Sequence, residues 1–173
     1  MINPFKKTYS EEEIVLFKFL QSISLFKQLS YEELANFLPY LYLRKYNEDE
    51  AVFFRNDPSQ ALYLIKEGLV SLSLEVDGKF ETIAEITSRR AFGSNALIEG
   101  ARRNYNSIVM SSVAELYVIP HVNIRDIFSD HPKIKAKMMT ALASLYDDYI
   151  TGLFKSYRSS IGFFKLSQTP MNL

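Results

Sequence analysis

One run of this sequence gathers residue types that hold a small anion: Phe92-Gly93-Ser94-Asn95-Ala96-Leu97-Ile98-Glu99-Gly100-Ala101-Arg102-Arg103-Asn104-Tyr105-Asn106. A glycine before a short helix leaves the first N–H groups of that helix open. An arginine returning toward the same terminus adds a charge-assisted partner, so the run outlines a pocket for one phosphate. The candidate ligand-binding residues are Gly93, Ser94, Asn95, Ala96, Arg103 and Asn104. Short helical excursions of this kind are common in β-proteins, and the alternative for Arg103 is a surface or ion-paired arginine.

Other chemistry has little support. Cysteine is absent, which excludes disulfides, thiolate metal sites and a cysteine nucleophile, and says nothing about redox compartment. Two histidines, His121 and His131, are too few for a His-rich metal cluster, and both sit where capping or surface roles are expected. A Ser94/His121/Asp126 hydrolase triad has neither a nucleophile elbow nor an oxyanion motif behind it. No catalytic residue and no metal ligand is therefore expected. Lys plus Arg number 20 and Asp plus Glu number 20, so no net basic field draws the chain to nucleic acid. The acidic run Glu11 to Glu13 interrupts any signal-peptide pattern, and no apolar run approaches the roughly 18 residues of a membrane span. A cytoplasmic protein with no membrane partner is expected.

Two changes of hydrophobic period divide the 173 residues into three stretches. Acidic residues followed by Ile14, Phe17 and Leu20 predict a helix over about 10–20. Ser30 and Glu33 form the sequence signature of a capping box before a second short helix ending near Pro39. From Tyr40 onward, short β-branched and aromatic segments at 41–46, 51–55, 61–68, 69–76, 80–86, 107–113 and 114–119 predict roughly eight strands. Asp77-Gly78 marks a type I′ hairpin, because that turn needs positive φ at both central residues. Evenly spaced strands on this scale suggest a jelly roll or small barrel.

After Pro120 the helical period returns, first in a short helix stopped before Pro132. Ile134, Met138, Ala141, Leu142, Leu145, Tyr149, Leu153 and Tyr157 then recur over about seven turns. So long a helix overhangs a small roll, and part of its stripe is expected to meet a second copy as a homodimer seam; the alternative is a helix folded back on its own domain. The fold class is α+β: an eight-stranded antiparallel β-roll flanked by N-terminal helices and a long C-terminal helix. Residues 1–158 are expected as one domain and 159–173 as a tail.

In this order the elements and motifs resemble the cyclic nucleotide-binding domain of the catabolite activator protein and of the regulatory subunits of cyclic-AMP-dependent kinase, over about residues 22 to 150. Phe92, Gly93, Ala96, Leu97, Gly100 and Arg103 match the family's phosphate-binding cassette, and Gly68 matches its turn glycine. The resemblance implies cyclic AMP or cyclic GMP as ligand, with Arg103 on the phosphate. Ser94 stands where the family places the glutamate that accepts the ribose 2′-hydroxyl. Arg102 replaces its proline, and Asn104-Tyr105 replace its small pair, with Tyr105 crowding the pocket. Family glycines correspond to Asp49, Asn56 and Ser88.

These departures favour a stand-alone regulatory module of the cyclic nucleotide-binding type, with weakened or lost nucleotide binding, signalling through a C-terminal dimer helix. The alternatives are another small anionic ligand, or a relative of Crp/Fnr-type transcription regulators that lacks the DNA-binding domain and still senses a cyclic nucleotide. Too few residues follow Arg158 for a winged helix-turn-helix, and the tail carries no basic patch, so direct DNA binding is not expected.

Overall fold

The computed structural model describes residues 8–161, and within them the three stretches become helices, a β-roll and helices again. The first helix, α1 (Glu11–Gln21), opens with a complete capping box. The Glu13 N–H donates to Ser10 Oγ at 3.1 Å and the Ser10 N–H donates to the Glu13 carboxylate at 2.8 Å. Ser30 and Glu33 repeat the device at α2 (Tyr31–Ala35). That helix stops before the expected Pro39, because Asn36 Nδ2 donates to the carbonyls of Glu32 and Glu33 and so satisfies the helix end early. Pro39 falls instead in a separate 3-10 turn, Leu38–Tyr40.

Eight strands form two four-stranded antiparallel sheets. They are β1 (Tyr42–Asn47), β2 (Ala51–Phe53), β3 (Ala61–Glu67), β4 (Leu69–Val76), β5 (Lys79–Thr87), β6 (Ala91–Phe92), β7 (Asn106–Val109) and β8 (Val113–Pro120). One sheet runs β1-β8-β3-β6 and the other β2-β7-β4-β5. The eighth strand, β6, has only two residues, too few to show a period. Asp77 (φ 51°) and Gly78 (φ 74°) both adopt the left-handed conformation expected of the hairpin. Asp49 and Asn56, at two family glycine positions, are left-handed as well; at the third the conformation falls on Arg89 rather than Ser88. Gly68 (φ 108°) has no substitute, since a Cβ there would lie 2.8 Å from Ala114 Cα.

Side chains alternate along β3. Leu62 and Leu64 face the helices in a cluster with Phe17, Leu20, Phe37 and Met138. Tyr63 and Ile65 face the roll interior with Phe53, Leu72, Phe92 and Leu116. The chain then continues into α3 (His121–Asp130) and α4 (Pro132–Ile161), a helix about 45 Å long. α4 runs past the expected boundary at 158, and the remainder of the 159–173 tail lies outside the described residues. Its apolar stripe divides in two. Ile134, Met138 and Leu142 are buried within their own chain, where α4 packs on α3 and the turn Ser24–Phe26, and Leu145 is partly covered. That half of the stripe is intramolecular. Tyr146, Tyr149, Ile150, Leu153 and Phe154 are exposed.

The Lys137 ammonium on α4 meets the Glu33 carboxylate at 2.7 Å and ties α4 to α2. Burial pushes the Glu33 carboxyl up, but the hydrogen bonds from Lys137 and Ser30 together with the Lys137 charge outweigh it and leave it lowered. A lowered folded-state value means the pair contributes fully above the ordinary carboxylate range and is lost as pH falls through that lowered value. Because both groups are partly exposed, the contribution is about 1 kcal/mol or less. Urea unfolding across pH 2 to 7 is expected to show this acid-side loss in the wild type and a flatter profile in Glu33→Gln. Among the described residues, no helix is long and apolar enough to cross a membrane.

Candidate functional site

The cassette hangs between β6 and β7 at the end of the roll. Gly93 ends the β6 segment with φ 68°, which turns the chain into the 3-10 turn Ser94–Leu97. A glycine is required there for a second reason: a Cβ would stand 2.4 Å from Arg103 Nη1. Three backbone hydrogen bonds of 2.9 Å fasten the return strand of the cassette to the β2–β3 loop. They run from Asn56 N–H to Arg103 O, from Arg103 N–H to Asp57 O and from Ser59 N–H to Ala101 O. Arg102, at the family's proline position, is exposed and donates to Asn56 O at 2.7 Å.

Arg103 is the centre of the arrangement. It is 2 % exposed. Its Nη1 donates to Gly93 O at 3.0 Å and to Asn95 Oδ1 at 3.2 Å, and its Nη2 donates to Ala61 O at 2.6 Å. The guanidinium carbon lies 4.1 Å from the centre of the Phe53 ring and 5.5 Å from that of Tyr63. No carboxylate forms an ion pair with it among the described residues. Burial pushes the Arg103 pKa down, against the opposing influence of Tyr63, Tyr105 and Asp57, and an arginine still keeps its proton at neutral pH. Its Nε is buried without a hydrogen-bond partner.

Most of the expected site residues converge. Asn95 is buried and accepts from Ser59 Oγ at 2.8 Å as well as from Arg103, while its amide donates to Arg102 O. Ala96 is buried, with its N–H on Gly93 O. Ser94 is half-buried at the start of the turn. Asn104 is exposed. The Gly93 N–H donates to the Tyr105 hydroxyl at 3.0 Å.

Sequence patterning left out several residues that shape the site. Phe53 and Tyr63 lie against the Arg103 guanidinium, and Tyr63 stacks nearly parallel on Phe92 of the cassette at 5.1 Å. His121 neither caps α3 nor lies free on the surface. Its Nδ1 is 2.6 Å from Ala96 O, joining the cassette turn to the first residue of α3. No motif announced that contact; the only signal was a histidine directly after β8. Open clefts lie elsewhere. One of about 500 Å³ runs along Leu43, Arg44, Lys45, Tyr46, Glu50 and Ala51, and another lies between α2 and the α3–α4 junction.

Comparison with known proteins agrees with this geometry. The family model of the cyclic nucleotide-binding domain matches residues 43–131, which contain the cassette and most of the roll. The global nitrogen regulator of Synechocystis sp. is 28 % identical over 102 residues, which cover 57 % of this chain and 45 % of that protein. Among solved structures, the catabolite activator protein of Thermus thermophilus superposes with a TM-score of 0.65 at 24 % identity, covering 78 % of this chain and 63 % of the other. The regulatory domain of Toxoplasma gondii PKA with cAMP gives 0.63 at 20 % identity, covering 70 % and 46 %. The chain spans about half the length of the curated relatives it matches, as the 45 % and 48 % for two nitrogen regulators illustrate.

Proposed function

We propose, from the premise that this chain belongs to the cyclic nucleotide-binding domain family, that it is a non-catalytic cytoplasmic regulatory module with weakened or lost cyclic nucleotide binding. Its unit is residues 1–158, and it signals through a homodimer formed by the exposed half of α4. Gly93, Ser94, Asn95, Ala96, Arg103 and Asn104 are the residues through which any anion would be held.

The observation that carries this reading is the commitment of Arg103. Three of its five N–H groups already serve acceptors of its own chain, and its flat face rests on Phe53. A phosphate would have to compete with carbonyls that are held in place by the roll. Ser94, short and uncharged, also lacks the carboxylate that would accept a ribose hydroxyl. A hydrogen bond to a charged group contributes roughly 1.5–3 kcal/mol, so its absence weakens a cyclic nucleotide by about 10- to 150-fold.

Titration calorimetry against cyclic AMP and cyclic GMP tests the reading. The wild type is expected to bind more weakly than about micromolar, roughly −8 kcal/mol, and Ser94→Glu to bind about tenfold or more tightly than wild type. A wild-type dissociation constant below about a micromolar would overturn the proposal. One observation favours a second reading. The buried, unpartnered Nε of Arg103 is a donor that an anion would satisfy, as in a Crp/Fnr-type relative that still senses a cyclic nucleotide. Tight binding in the same titration would support it.

A further inference from the structure

The hydroxyl of Tyr105 occupies the Gly93 N–H, the amide at the mouth of the cassette turn. An N–H has one proton to give, so while the phenol oxygen accepts it no oxygen of a ligand can. The ring that carries this hydroxyl is also fixed in place. It lies 5.7 Å from the ring of Phe53, whose face supports the Arg103 guanidinium. The next residue, Asn106, begins β7 and accepts the Arg55 N–H through its side chain at 2.8 Å, which anchors the backbone beneath the tyrosine. Tyr105 thus reaches back across the return of the cassette from a rigid base.

From this geometry we infer that Tyr105 is the gate of the cassette, an internal group whose hydroxyl takes the place of a ligand phosphate oxygen and excludes cyclic nucleotides until the ring swings away. The inference rests on the proposal that the site is weakened, and it names one side chain as a principal cause. Swinging out requires loss of the Gly93 hydrogen bond and of the contact with Phe53 together. Burial pushes the Tyr105 pKa up, so the hydroxyl is neutral at physiological pH and remains an acceptor for the amide.

The test is calorimetry of cyclic AMP and cyclic GMP against wild type, Tyr105→Ala and Tyr105→Phe, each first checked for folding by its ¹H–¹⁵N spectrum. The gate predicts that Tyr105→Ala binds at least one of the two nucleotides about tenfold or more tightly than wild type, the minimum that one freed hydrogen bond to a charged oxygen supplies. An unchanged affinity in folded Tyr105→Ala overturns the gate, while weak wild-type binding in the same series leaves the parent proposal standing. Tight wild-type binding overturns both. Should Tyr105→Ala fail to fold, Tyr105→Phe keeps the ring and removes the hydroxyl. The gate then predicts faster hydrogen exchange at the Gly93 amide and tighter nucleotide binding than wild type, and an affinity equal to wild type overturns it.

Discussion

Replacing Arg103 with alanine is expected to destabilise the fold by about 2–4 kcal/mol, measured as the shift in a urea unfolding curve at neutral pH. The substitution leaves Gly93 O, Ala61 O and Asn95 Oδ1 without the donor that now joins them, and opens space over Phe53. A buried acceptor left unpaired costs about 1–3 kcal/mol. Gly93 O keeps the Ala96 N–H and Asn95 Oδ1 keeps the Ser59 hydroxyl, and removing a buried charge returns part of the cost, so the sum stays well below three full penalties. Arg103→Lys is expected to recover little, because one ammonium lacks the planar fork that spans three acceptors. An arginine kept only to meet a ligand would behave differently, and Arg103→Ala within about 0.5 kcal/mol of wild type would show that the guanidinium does not hold the cassette together.

The second large effect concerns association. Leu153→Asp is expected to convert a homodimer into monomers, and light scattering coupled to size exclusion would then show the mass fall to 20.0 kDa from twice that value. Tyr149, Leu153 and Phe154 are 57 %, 50 % and 55 % exposed, and with Tyr146 and Ile150 they continue at helical spacing the stripe that Ile134, Met138 and Leu142 bury internally. Burying such side chains contributes about 1.5–3 kcal/mol each, so several from each copy exceed an association cost of about 4–15 kcal/mol. An aspartate in that seam places an unpaired charge in apolar surroundings. Leu145 would be a poorer probe, because it already packs on its own core and its loss would also weaken the monomer. A wild type that stays at 20.0 kDa at high concentration would contradict the seam and with it the signalling route through α4.

What the sequence made legible was local chemistry. Ser10 with Glu13, Ser30 with Glu33, and Asp77 with Gly78 each carry within four residues the atoms that fix their own backbone, and all three form as expected. The cassette was legible as a glycine, a turn and an arginine, and the structure brings Gly93, Asn95, Ala96 and Arg103 together. The partners of Arg103 were not legible. Gly93 O and Ala61 O are backbone atoms, the second of them 42 residues away, and any residue type supplies a carbonyl. The contact of His121 was not legible for the same reason, since its partner is Ala96 O. In α4 the stripe has one period from Ile134 to Leu153, and periodicity has no term for where the neighbouring helices end. Only the packing of α4 against α3 and the Ser24–Phe26 turn decides which half is covered.

The most direct measurement is the ¹H–¹⁵N spectrum of the wild-type protein during titration with cyclic AMP and then cyclic GMP, following the Gly93 amide and the Arg103 Nε–H. The Gly93 amide is expected to keep its position and its protection from exchange, and neither resonance is expected to saturate at about micromolar nucleotide, roughly −8 kcal/mol. A shift of both resonances that saturates with either nucleotide in the micromolar range would contradict this, and would make Arg103 a working phosphate ligand rather than an internal brace.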